Sequence, residues 1–158
     1  MNNDIKQVSL DELFPLIEEQ IKNGGSIVFN PRGISMLPLI RQGIDRVELA
    51  KPSAPLKKYD IPFYRREDGS FILHRIIKKH SDGTYTACGD NQVILEHGIT
   101  DKQIIGVVTG VYKGKKFYPI FSATMRFYCL YSVIRRKFRK TFFYKVINWG
   151  LIKCKLKK

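Results

Sequence analysis

Hydrophobic and polar positions follow three rhythms along this chain, and each rhythm marks a region. Between Ser9 and Asn23, Leu10, Leu13, Phe14, Ile17 and Ile21 recur three or four residues apart, the repeat of one helix face. Ser9 and Glu12 have capping-box spacing, and Gly24-Gly25 supplies a stop. Pro15 lies inside this pattern, so the helix is expected to start late or kink there. From Ser26 the period drops towards two, which predicts strands at Ser26–Phe29, Arg46–Leu49, Ile61–Arg66, Phe71–Lys78, Thr84–Cys88 and Ile104–Tyr112. Between them lie Asn30-Pro31-Arg32-Gly33, Gly43, the proline-bearing stretch Lys51–Lys58, Glu67-Asp68-Gly69-Ser70, Ser81-Asp82-Gly83 and Gly89-Asp90-Asn91. These are turn and loop sequences, and Asp-Gly is a hairpin signal. Many short strands separated by such turns imply a mainly β core, a coiled or partly closed β-barrel.

The third rhythm begins at Lys113. Met125, Phe127, Tyr128, Leu130, Tyr131, Val133, Ile134 and Phe138 alternate with Arg126, Arg135, Arg136, Lys137 and Arg139. A second apolar cluster runs from Phe142 to Ile152. Two short amphipathic helices fit this pattern, broken near Lys140-Thr141 and ended near Gly150. The organisation expected is an N-terminal helix over residues 1–24, a β domain over 25–112 and a basic aromatic tail over 113–158.

Charge sharpens that division. Residues 1–112 hold 14 basic and 14 acidic side chains, so the whole net charge of +14 comes from residues 113–158, which contain no acid. An anionic membrane surface is the leading expected partner for residues 122–158, because aromatics suit the interface and cations suit the headgroups. A helical cover over the sheet ranks second, and a nucleic-acid backbone last. The three cysteines, Cys88, Cys129 and Cys154, form neither a CxxC spacing nor a disulfide framework, and a reducing compartment is the simpler expectation. No signal-peptide pattern or long apolar run is present, so the expected location is the cytoplasm or the inner membrane face, without a transmembrane helix.

The chemistry-bearing stretch is Gly33-Ile34-Ser35-Met36-Leu37-Pro38. His74 follows Ser35 by 39 residues, inside an apolar run. A hydroxyl is a weak nucleophile until a neighbouring base takes its proton, and an imidazole is the usual base. On its own, Ser35 reads as a turn residue and His74 as a strand residue. His80 and His97 fall in polar loops and carry no expected role. Lys57, Lys58, Lys78 and Lys79 read as solvated charges, one of which could serve a Ser–Lys mechanism in place of His74. No cluster has metal-ligand spacing and no Gly-rich phosphate loop is present, so neither metal nor cofactor is expected.

The Gly33–Pro38 segment resembles the catalytic-serine motif of signal peptidase I, in the signal-peptidase/LexA-like serine protease superfamily. Further matches follow in order: Gly43-Ile44-Asp45-Arg46-Val47, Tyr59-Asp60-Ile61-Pro62-Phe63-Tyr64-Arg65, His74-Arg75-Ile76-Ile77, Gly89-Asp90-Asn91 and Ile104-Ile105-Gly106-Val107-Val108. Histidine at position 74 is similar to the endoplasmic-reticulum and archaeal-like branch, whereas typical bacterial enzymes carry lysine. The resemblance implies a coiled β-fold, Ser35 as nucleophile, His74 as general base and a carboxylate that orients it. Glu96 occupies the place of that carboxylate where the family usually has Asp, and Asp90 in the turn is the other candidate. The Ser35 N–H is the first oxyanion donor to consider, and Met36, Leu37 and Pro38 are expected to wall the substrate site. The implied substrate is a peptide or protein precursor, cut at a leader or signal-like segment with small side chains beside the scissile bond. Two other readings are a non-catalytic peptide- or membrane-binding module and, lower, a LexA-like self-cleaving regulator.

Overall fold

The computed structural model describes residues 10–125, 127–129, 131–139 and 141. Helix α1 spans Leu10–Lys22 and continues through Pro15 rather than starting after it. Ile17 and Ile21 are buried on its inner face, and packing of this kind outweighs a single helix-breaking residue. Ser9, the expected cap, lies outside the described residues.

Nine strands follow among the described residues: β1 Ser26–Phe29, β2 Arg46–Ala50, β3 Pro62–Arg65, β4 Phe71–Leu73, β5 Arg75–Lys79, β6 Tyr85–Cys88, β7 Glu96–Ile99, β8 Ile104–Lys113 and β9 Lys116–Pro119. Every pairing is antiparallel. The strands form two sheets and, among the described residues, no closed barrel. One sheet has the order β1-β2-β8-β3-β4 with β9 also paired to β8, and the other has the order β5-β6-β7. The long strand β8 organises the larger sheet, pairing β3 through Ile104–Val107 and β2 through Val107–Tyr112.

Both faces of β3 are covered, so its residues alternate between two cores. Phe63 packs with Ile17, Ile21, Met36, Ile40, Val47, Leu49 and Val108, whereas Tyr64 packs with Leu56, Ile76, Tyr85, Ala87 and Ile99. Burying one such side chain contributes about 1.5–3 kcal/mol. Phe29, Phe63 and Phe71 form an aromatic chain with centroids 5.5 and 5.6 Å apart. This row of rings links the edge strands β1 and β4 through the centre of the sheet.

Three features depart from the sequence expectation. The single strand expected over Phe71–Lys78 is broken at His74, and its halves join different sheets. Strand β7 arises from the polar stretch Glu96-His97-Gly98-Ile99, paired to β6. Strand β9 carries the larger sheet to Pro119, past the boundary expected at 112, with Lys116 paired to Lys113.

Residues 123–125, 127–129, 131–139 and 141 are helical. Thr141 bonds the Lys137 carbonyl at 3.0 Å, at the point where a break was expected. The apolar cluster from Phe142 to Ile152, the expected stop at Gly150, and Cys154 lie outside the described residues. No helix among the described residues is long and apolar enough to cross a membrane.

Candidate active site

Ser35 sits in the connection between β1 and β2, on a turn that the chain holds at several points. Gly33 has φ +95, a left-handed conformation that favours glycine, and its N–H donates to Gln42 Oε1 at 2.8 Å. Leu37 N–H returns to the Ile34 carbonyl at 3.2 Å, and the Leu37–Pro38 bond is cis. The Gly89-Asp90-Asn91 turn presses on the serine from across the fold. Asn91 N–H donates to the Ser35 carbonyl at 2.7 Å, and Asn91 Nδ2 donates to the Ile34 carbonyl at 3.1 Å. A Cβ on Gly89 would stand 2.6 Å from the Ser35 carbonyl oxygen, so only glycine permits this approach. Among the described residues, neither the Ser35 hydroxyl nor its N–H is hydrogen-bonded.

His74 occupies the break between β4 and β5, where the chain leaves one sheet for the other. Ser35 and His74 line one cavity of about 380 Å³, together with Phe29, Met36, Phe63 and Leu73. A larger cavity of about 600 Å³, beside Glu18, Lys51 and Lys102, includes neither residue. Both candidate residues therefore belong to the smaller space. Of the three expected wall residues, Met36 lines it, while Leu37 and Pro38 do not. Met36 turns into the core, Leu37 is half-buried with its carbonyl accepting from Arg135 at 3.4 Å, and Pro38 is exposed.

The two candidate carboxylates have separate surroundings. Asp90 is fully buried and receives Arg75 through two bonds, Nε at 2.8 Å and Nη2 at 2.7 Å. Arg75 also donates to the Tyr59 carbonyl at 3.0 Å. This is a sealed ion pair beneath the serine turn. Glu96 stands beside the histidine, with Oε2 3.5 Å from His74 Nδ1. That spacing is an electrostatic approach rather than a formed hydrogen bond, and Nδ1 is buried without a hydrogen-bond partner. Tyr64 Oη holds Glu96 at 2.7 Å, and Arg66 holds it through Nε at 2.6 Å and Nη2 at 2.7 Å. Sequence reasoning did not single out Tyr64 or Arg66. Tyr64 lies on β3 and Arg66 just after it, whereas Glu96 opens β7 of the other sheet, so the contact joins residues far apart in the chain.

The electrostatics follow from these contacts. Burial lowers the pKa of His74 below the usual histidine value, outweighing the opposite pull of Glu96. Burial thus favours the neutral imidazole, the form a general base requires. Burial works to raise the pKa of Glu96, but the bonds from Arg66 and Tyr64 and the Arg66 charge outweigh it and hold the carboxylate ionised. His80 and His97 do not stand alone in loops. Their rings share the Thr86 hydroxyl at 2.7 and 3.0 Å, and His97 lies on β7. Among the described residues, no group of three or more His, Cys, Asp or Glu could hold a metal ion.

The C-terminal helical segment closes over the serine turn. Besides Arg135, Arg139 Nη1 donates to the Asn91 carbonyl at 2.9 Å and to its Oδ1 at 2.5 Å. Arg136 Nη2 lies 4.0 Å from Asp90 Oδ1. Three of the tail's cations thus face the fold. The chain matches no protein-family model, no curated protein and no solved structure.

Proposed function

We propose that this chain is a serine endopeptidase of signal-peptidase type. Ser35 is the nucleophile, His74 the general base, and Glu96 the carboxylate that orients the imidazole and stabilises its charged form. The observation that carries the reading is that Ser35 and His74 line one cavity, with Glu96 3.5 Å from His74 Nδ1. In this mechanism the Ser35 hydroxyl attacks a peptide carbonyl as His74 takes its proton. The imidazolium then returns that proton to the leaving amine. The unengaged Ser35 N–H is the donor offered to the tetrahedral oxyanion. Asp90 serves the architecture, neutralising Arg75 beneath the turn.

The fold reading is a coiled, partly closed sheet of signal-peptidase/LexA-like type. Residues of both outer strands of the larger sheet, Phe29 of β1 and Phe71, Ile72 and Leu73 of β4, line the cavity. An extended leader or signal-like peptide fits between two such edges as an added strand, held by main-chain bonds. The test is cleavage of a defined peptide library, read by mass spectrometry. The wild-type chain should release products with a consistent cut position, and Ser35→Ala should release none. Equal products from both proteins would overturn the reading. A second reading, a peptide-binding module without catalysis, draws on the Ser35 hydroxyl, which no described group engages. It predicts library peptides retained intact.

A further inference from the structure

The helical residues 123–125, 127–129 and 131–139 present two opposite faces. Met125, Cys129, Ser132 and Arg136 occur at steps of four, three and four, and all but the half-buried Cys129 are buried. Phe127, Tyr131, Ile134 and Phe138 repeat the same steps two residues later. At about 100° per residue, that offset turns them to the far side of the helix, within an arc of roughly 60°. They are 75%, 51%, 46% and 74% exposed, and Phe121, just before the helix, is 74% exposed. An apolar stripe of this length has no use in water. The charge of the same stretch bears on what covers it: residues 113–158 carry 14 cations and no acid in sequence, and of the described cations Lys115, Lys116 and Lys137 are exposed to solvent. A nucleic-acid backbone would match the charge but offers no apolar bed for the stripe. An anionic bilayer offers both, with headgroups for the cations and the acyl boundary for the rings.

We propose that the Phe127–Tyr131–Ile134–Phe138 stripe docks this protein onto an anionic membrane surface, with the helix lying in the interface plane. Arg135 of the same segment donates to Leu37 of the serine turn, and Arg136 and Arg139 meet the Gly89–Asn91 turn that presses on it. Docking therefore sets the Ser35 loop within a helix diameter of the bilayer, about 10–12 Å. The binding claim is independent of proteolysis, and Ser35→Ala should bind lipid as the wild type does.

The test is sedimentation of the full chain with phosphatidylcholine vesicles, with and without phosphatidylglycerol. The wild type should bind the anionic vesicles, and less as salt rises. A combined Phe127→Ser, Tyr131→Ser and Phe138→Ser variant should bind at least about tenfold more weakly. Because these side chains are exposed, the variant should keep the wild-type melting temperature. Absence of binding, equal binding by the variant, or equal binding to neutral vesicles would overturn the proposal. So would a lipid-free dimer that the triple variant dissociates, since a second copy would then be what covers the stripe.

Discussion

Replacing Glu96 with glutamine separates orientation from charge at the candidate site. The side chain keeps its shape and can still accept from Tyr64, but the anion 3.5 Å from His74 Nδ1 is gone. Two unit charges at that spacing attract by about 5 kcal/mol at an effective dielectric near 20. Arg66 holds the same carboxylate and offsets part of that attraction, and the partly exposed rim screens more. About 1–3 kcal/mol of imidazolium stabilisation should remain, equivalent to roughly 5- to 150-fold in rate. The assay is the second-order rate of Ser35 modification by a fluorophosphonate, which needs no knowledge of the natural substrate. The rate should fall within that range, and its pH midpoint should move to lower pH because Glu96 raises the His74 pKa. An unchanged rate and midpoint would refute the assignment of Glu96 as the orienting carboxylate.

Asp90→Asn should act on stability instead. It strands Arg75 in a fully buried position, a loss of about 3–5 kcal/mol that should lower the melting temperature by roughly 6–20 °C. Calorimetry checks this, and a shift of only a degree or two would contradict the structural role. Gly89→Ala places a methyl 2.6 Å from the Ser35 carbonyl and 3.0 Å from its Cβ. Displacing the nucleophile should slow labelling by about 100-fold, and an unchanged rate would show that the turn does not hold the serine. The wild-type labelling rate should rise with pH to a midpoint below about 6.5, since burial depresses His74. Unfolded His74 takes up a proton near pH 6.5 while the folded ring resists it. Its contribution to stability is therefore fully present above that pH and declines as pH falls towards the folded-state value. Urea titrations at several pH values check that sign.

Local pattern carried much of the fold and stopped where distant partners decide the structure. Strand β1 matches its expected bounds residue for residue, and α1, β2 and β6 match within two residues of theirs. The period-two signal and the glycine turns are both local. The break at His74 is not, because Phe71–Lys78 reads as one apolar run and only pairing to β3 on one side and β6 on the other divides it. Strand β7 hides behind Glu96, His97 and Gly98, poor strand formers that β6 recruits by pairing. The sequence placed Glu96 first and kept Asp90 as the other candidate, and the distances separate them: Glu96 stands 3.5 Å from His74 Nδ1, while Asp90 is taken up by Arg75. The arginines of the C-terminal segment read first as a membrane-facing surface and second as the solvated rim of a helical cover. Arg135 reaches the serine turn, and Arg136 and Arg139 reach the Gly89–Asn91 turn against it, which no charge pattern reveals.

The most direct measurement is mass spectrometry of the chain after brief exposure to a fluorophosphonate at neutral pH, beside a His74→Ala variant with an unchanged circular dichroism spectrum. The account predicts one phosphonyl adduct, on Ser35, in the wild type and none in the variant. An unlabelled Ser35, or equal labelling in the two proteins, would contradict it.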